Sequence, residues 1–199
     1  MENIFLVLDR LKNWLKREDV GASIRRFLIN TLFDSTFILM GITVGSALVA
    51  KPELKVILGT MLTSSLALGI STGVSVYEAE TLERERQVEK LEKSMLTDLE
   101  DTQIMKSIRA RALFISFVCF LTPPFACILI ILPFVLSALS FIMIRQAAWA
   151  SIAVALGTIF FVGVYLGQNG KGNAILKGLT MGAFGAIAFV IGYWIETLI

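Results

Sequence analysis

The sequence contains no histidine. That excludes Ser-His-Asp and Cys-His catalysis, HExxH-type zinc sites and haem held by histidine. Cysteine occurs only twice, as Cys119 and Cys127, inside one apolar block. Eight residues of helix separate their backbones by about 12 Å, too far for a disulfide. Both therefore read as small buried apolar residues. Charge is also scarce: 17% of the 199 residues, with a net formal charge of +2, where a soluble domain carries about 25%. A balance this small offers nucleic acid no global attraction.

Apolar residues take the place of the missing charge. They make up 56% of the chain, with a mean hydropathy of +0.77, and they fall in blocks long enough to cross a bilayer. This composition argues against a soluble enzyme domain, a disordered chain or a disulfide scaffold. A span needs about 20 apolar residues, so the length suits a bundle of five helices.

The N-terminus does not read as a cleaved signal, because Glu2 and Asp9 occupy the region where positive charge is expected. Ile4, Leu8, Leu11 and Leu15 recur at helical spacing, beside Val7 and Trp14, with Lys12, Lys16 and Arg17 toward the polar side. Residues 1–26 are thus expected to form a cytoplasmic amphipathic helix, lying on the membrane or packed on the rest of the protein.

Two spans follow within residues 27–77. The first is Phe27 to Ala50, with Asp34 as its one charge, and the second is Leu54 to Tyr77. Lys51 and Pro52 form the turn between them. Residues 78–111 are densely charged with a helical pattern. From Ala112 to Ile144 run 33 residues without charge, about 50 Å of helix against about 30 Å of hydrocarbon. Pro123, Pro124 and Pro133 predict a proline-broken third span and then a short external loop. The fourth span runs from about Ala147 to Gly167, and the fifth from about Ile175 to Ile195, after a turn at 168–172. The expected fold class is all-α: five transmembrane helices, with a charged cytoplasmic helical segment between spans two and three.

Lys and Arg counts orient the chain. With five spans, the N-terminus, segment 78–111 and the 168–177 turn share a side, and that side holds 15 of the 18 basic residues. The N-terminus is therefore expected in the cytoplasm and the C-terminus outside. Without a targeting segment, a prokaryotic cell membrane is the simpler location. Gly41 with Gly45, Gly69 with Gly73, Gly163 with Gly167, and Gly178 with Gly182 repeat at four-residue spacing. This spacing permits close helix packing, within the bundle or across a dimer seam.

Three features could carry chemistry. A carboxylate inside a span must be paired, hydrated or protonated. Asp34, near Asn30, Thr31, Ser35 and Thr36, is therefore expected to face the bundle interior or a polar path, or else to sit at the cytoplasmic interface. The second feature is the hydroxyl stripe Thr63, Ser64, Ser65, Ser71, Thr72 and Ser75, which suggests a hydrated or closely packed face. Met40 and Met61 could offer thioethers to a soft ion, although apolar filling suits them better. The third is the acidic run Glu78 to Asp101, with nine of the sixteen acids. On one continuous helix, Glu78, Glu85, Glu89 and Glu92 share a face. Clustered carboxylates suit Mg, Mn, Ca or Fe(II). The interleaved Arg84, Arg86, Lys90 and Lys93 equally suit a solvated face.

The order of these features resembles the vacuolar iron transporter family. Asp34-Ser-Thr-Phe-Ile-Leu-Met-Gly is similar to that family's first-span motif, which opens with Asp-Gly. Gly69-Ile-Ser-Thr-Gly-Val-Ser-Val-Tyr-Glu resembles its Ser-Met-Ala-x-Gly-Glu-Tyr signature. Phe120-Leu-Thr-Pro-Pro-Phe with Pro133, and Gly157, Gly178, Met181, Gly182 and Gly185 in the closing spans, also match its pattern. The resemblance covers about 165 residues, from Asp34 to the C-terminus. It implies a five-helix protomer acting as a homodimer that exports Fe(II), or Mn(II), from the cytoplasm in exchange for protons. It implies that Asp34 lies on the ion path and that cytoplasmic glutamates collect metal. Thr72 stands where the signature has Met, Val76 where it has Glu, and Glu78 follows two residues later. Losing the Met thioether tilts the expectation toward a harder ion.

The resulting expectation is a metal/proton exchanger, not an enzyme, with no bound cofactor. Its metal-binding residues would be Asp34, Ser71, Thr72, Glu78, Glu85, Glu89 and Glu92, and its partners the lipid bilayer, divalent metal ions, protons and a second copy. The alternative is a non-transporting membrane protein that docks a partner through segment 78–111.

Overall fold

The computed structural model describes residues 18–48, 52–95, 103–168 and 173–198. The proposed amphipathic helix lies mainly outside them. Five helices follow in order: α1 (Glu18–Ala47), α2 (Leu54–Met95), α3 (Gln103–Ala138), α4 (Ile144–Gln168) and α5 (Ala174–Leu198). All five are long and apolar enough to cross a membrane, and the described residues include no strand. The chain is thus an all-α protein with the helices of an integral membrane protein.

Two helices exceed what a bilayer requires. α2 has 42 residues, about 63 Å at 1.5 Å per residue, roughly twice the hydrocarbon thickness. It passes Tyr77 without a break, so the charged stretch to Met95 continues the second span's helix. α3 has 36 residues and keeps Pro123, Pro124 and Pro133 inside it. The expected proline break is therefore corrected: the helix runs through all three prolines and turns only after Ala138. Proline removes an intrahelical donor, but a membrane helix tolerates this where neighbours support the exposed backbone. Pro123 is fully buried, and Gly69 of α2 lies against the Phe120 carbonyl, to which Pro124 cannot donate. A methyl group on Gly69 would come within 2.6 Å of that carbonyl oxygen.

The chain divides into two compact units. The first contains α1 up to Asn30 and Thr72–Cys119 of α2 and α3. Its apolar centre is Val76, Ile115 and Cys119, with Ile24 and Phe27 packed on it. Ser116 Oγ donates 2.6 Å to the Gly73 carbonyl, tying α3 to α2. A glycine there lets the hydroxyl approach the neighbouring backbone.

The second unit contains Thr31–Ser71 and Phe120–Ile199. Its core is built from Leu39, Met40 and Val44 of α1, Ile57 and Met61 of α2, Cys127, Ile130 and Phe134 of α3, and Ala148, Ile152 and Ala155 of α4. Polar links cross it: Ser151 Oγ donates 2.7 Å to the Ile130 carbonyl, and the Cys127 thiol lies 3.5 Å from the Met61 carbonyl. Both cysteines are free and buried. α4 and α5 meet on glycine. A methyl on Gly167 would fall 2.5 Å from the Ala174 Cα, and one on Gly163 would fall 2.8 Å from the Gly178 Cα. Beyond that seam α5 exposes Leu179, Phe184, Ile187, Val190 and Trp194, the surface a lipid-facing helix requires.

α3 ends without glycine. Ser140 adopts φ 63°, with Ser140 N bonded to the Ser137 carbonyl (3.0 Å) and Phe141 N to the Leu136 carbonyl (3.2 Å). This is the paired 5→2 and 6→1 pattern of a Schellman end, normally built on glycine. α4 then starts with the Gln146 side chain reaching back to Met143 N (3.3 Å), one half of a capping box.

Candidate functional site

Asp34 lies on α1, whose inward face buries Thr31, Ser35, Leu39, Thr43 and Ala47 at four-residue steps. Asp34, Ile38, Gly41 and Gly45 form the opposite stripe, and all four are exposed in a single chain. Of the places expected for Asp34 (the bundle interior, a polar path or the cytoplasmic interface), the single chain shows it on the exposed face of α1 and not on the packed one. Leu39, Met40, Thr43 and Val44 take the inward positions, and a side chain at 34 cannot share their face. A methyl added at Gly41 would meet nothing within 4 Å.

The inward hydroxyls of α1 are occupied by their own helix. Ser35 Oγ and Thr36 Oγ1 donate to the Leu32 carbonyl at 3.1 and 2.7 Å, and Thr43 Oγ1 donates to the Leu39 carbonyl at 2.9 Å. Such back-bonding lets a hydroxyl sit in an apolar core with no ligand.

The hydroxyls of α2 do not form one stripe. Its packed face is Ile57, Met61, Ser65, Gly69, Gly73, Val76 and Glu80, at steps of three and four. Ser65 belongs to it and bonds back to the Leu62 carbonyl at 2.9 Å. Thr63, Ser71 and Ser75 point outward, and Thr72 is half-buried. Ser71 and Thr72 are consecutive residues of a helix, about 100° apart, so they do not present their oxygens along one line. Met40 and Met61 are core filling, exposed by 2% or less.

Along the rest of α2, Glu78 and Glu89 are exposed and Glu85 and Glu92 half-buried. Glu78 and Glu92 stand about 21 Å apart along the axis, too far to share one ion. Glu89 is bonded to Lys93 at 2.7 Å, and that hydrogen bond pushes the Lys93 pKa above its ordinary value. Among the described residues no three acidic or cysteine side chains converge on a metal-sized space. Asp98, Glu100 and Asp101 of the acidic run lie outside the described residues.

Glu80 is the carboxylate that sequence reasoning passed over. It is 5% exposed and bonded to Arg84 Nε at 3.2 Å. Arg84 also donates to Gln87 Oε1 (3.3 Å), and Gln87 to Glu83 Oε1 (3.2 Å). The signal was available: Glu80 follows Val76 by four residues and precedes Val88 by eight, in register with the apolar face, with Arg84 one turn on. A carboxylate in that register must be paired to be buried.

No protein-family model matches the chain. An uncharacterized protein of Methanocaldococcus jannaschii is 26% identical over 174 residues, covering 86% of this chain and 87% of that one. The likeness therefore extends well beyond any single helix, and it attaches no activity to the fold.

Proposed function

We propose that this protein is a homodimeric divalent-cation/proton exchanger that moves Fe(II), or the harder Mn(II), out of the cytoplasm. The observation that carries this reading is Asp34. It stands ten residues into the apolar stretch Ile24–Ala47, on a face exposed in the single chain. A carboxylate at that depth must be paired, hydrated or protonated. A second copy laid on the same face would bring two such carboxylates together, with the open Gly41 allowing close approach. Paired carboxylates bind a hard divalent cation when ionised and retain a proton when it leaves. Each therefore supplies both halves of an exchange.

In this reading Ser71 and Thr72 offer hydroxyl oxygens along the path. Glu78, Glu85 and Glu92 raise the local cation concentration as a charged surface without forming a cage. The basic residues orient the chain with its N-terminus in the cytoplasm and its C-terminus outside, in a prokaryotic cell membrane.

The test is proton flux in sealed proteoliposomes with an internal pH dye, adding Fe(II), Mn(II), Co(II), Zn(II) and Mg(II) in turn. Wild type should move protons with one or two of these metals, and Asp34→Asn should lose the response while remaining folded. Flux that survives in Asp34→Asn overturns the role of Asp34.

A second reading is favoured by the Glu89–Lys93 pair and by the absence of a convergent acidic trio among the described residues. In it the protein is a non-transporting membrane component that docks a partner through segment 78–111. Silence toward every metal, from folded dimeric protein, would select it.

A further inference from the structure

Apart from the charged extension of α2 beyond Tyr77, the apolar stretches of the five helices hold two acidic residues, Asp34 on α1 and Glu196 on α5. They are far apart in the chain, yet the fold sets both along one stripe of α1. Asp34, Ile38, Gly41 and Gly45 form that stripe, and a methyl on Gly45 would lie 3.7 Å from Glu196 Oε2. Glycine at 45 thus leaves the α1 backbone bare where the carboxylate rests. From Asp34 to Gly45 the helix rises about 16 Å. The two acids are too far apart to share one ion, and they stand as two stations on the same line.

Glu80, the buried acid of α2, is held by Arg84. Glu196 has no such partner. It is half-buried, and among the described residues it makes no hydrogen bond or ion pair. Lys55 and Arg145, at the starts of α2 and α4, are the described basic residues of that end; both are exposed and neither is bonded to it.

The setting of Glu196 makes this isolation unfavourable. It stands in the last turn of α5, which ends at Leu198, against Gly45 in the last turn of α1, which ends at Ala47. The last carbonyls of a helix lack intrahelical partners and carry the negative end of its dipole, where a cation is favoured. Neither last turn contains a basic residue. A carboxylate is therefore placed where two helices already present partial negative charge, and the described chain supplies no counter-ion. Carboxylate and carbonyl oxygens are the donors that a hard divalent cation takes.

We propose that Glu196 is the outer station of the cation path, the carboxylate that receives the divalent cation from the level of Asp34 and takes up a proton from the outer solution as the cation leaves. This role rests on the exchange reading and on its orientation, in which α1 runs outward from the cytoplasm. It adds a second ionisable group to the path and places it at the side of release.

The test is proton flux driven by Fe(II) or Mn(II) through the full chain in sealed proteoliposomes, comparing wild type, Glu196→Gln and Glu196→Asp. Gln keeps the shape of the side chain and removes its charge, while Asp keeps the charge on a shorter arm. Folding is judged by Cys119 and Cys127, which are buried and should stay protected from a thiol-reactive dye. Glu196→Gln should lower the flux several-fold, and Glu196→Asp should retain most of it. Full flux in Glu196→Gln overturns the inference and leaves Asp34 its role. Equal losses in the two variants make the side chain a packing element and also overturn it. If Glu196→Gln does not fold, Glu196→Ala decides on the same terms, since alanine is the best helix former. No flux from folded wild type with either metal removes the exchange reading itself, and this role with it.

Discussion

The α4–α5 seam and the outward face of α1 carry the same sequence pattern and have opposite fates. In the seam, Gly163, Gly167 and Gly178 are filled: a methyl on any of them would lie within 2.8 Å of a neighbouring atom. On α1, Gly41 opens onto empty space, and beside it stand Asp34 and Ile38, exposed in the single chain. The first pattern closes the bundle on itself. The second stays open at Gly41, while a methyl on Gly45 would lie 3.7 Å from Glu196 Oε2 of α5. Glycines four residues apart say that a backbone can be approached, and not by what. The carboxylates repeat the contrast in placement, with Glu80 on the buried face of its helix and Asp34 on the exposed face of its own.

Substitutions should separate the two fates by size of effect. Thiol-reactive dye makes the reading direct, because Cys119 and Cys127 are buried and report unfolding when they become reachable. The largest effect is expected for Gly167→Leu. Its obstacle is the Ala174 backbone, which cannot swing aside, so a loss of about 3 kcal/mol follows from overpacking. A normal melting midpoint in that variant would show that the seam can open. Next comes Glu80→Ala, which leaves the half-buried Arg84 with only its Gln87 bond and should cost about 2 kcal/mol. Glu89→Ala, a position where the pair is exposed, should leave the midpoint unchanged. Equal midpoints for the two would remove the distinction between buried and exposed carboxylates. The smallest effect on the fold is expected for Gly41→Leu. With open space around it, and with glycine itself unfavourable within a helix by about 0.5–1 kcal/mol, the single chain should melt no lower than wild type. On the proposed dimeric-exchanger reading, the same variant should also lose dimerisation and proton flux, since a leucine there would hold a second copy away. A dimer that survives Gly41→Leu would place its seam elsewhere.

Much of the architecture was readable in the chain because a bilayer enforces long apolar runs. The fourth span was expected from about Ala147 to Gly167 and is found from Ile144 to Gln168; the fifth was expected from about Ile175 to Ile195 and is found from Ala174 to Leu198. The prolines of α3 misled because proline's cost is set by what surrounds the carbonyl it cannot bond. For Pro124 that carbonyl belongs to Phe120, and the residue lying against it is Gly69, on a different helix and far away in the linear chain. The hydroxyls of α2 misled because density in a sequence window is not a face: Ser65 is packed, while Ser71 and Ser75 point away. Asp34 was recognised as exceptional for being charged in a span, but its direction depended on which side of α1 its own bundle would occupy.

The sequence by itself determined that this is a helical protein with five segments able to cross a membrane, without histidine chemistry and without a disulfide. Those properties follow from composition, run length and the rigid rise of a helix, which need no knowledge of neighbours. Only the tertiary structure decided which glycines are filled, that Glu80 is the buried carboxylate, and that Asp34 faces away from its own core. A helix has many faces of similar chemistry, and the one that is buried is chosen by the helices packed against it.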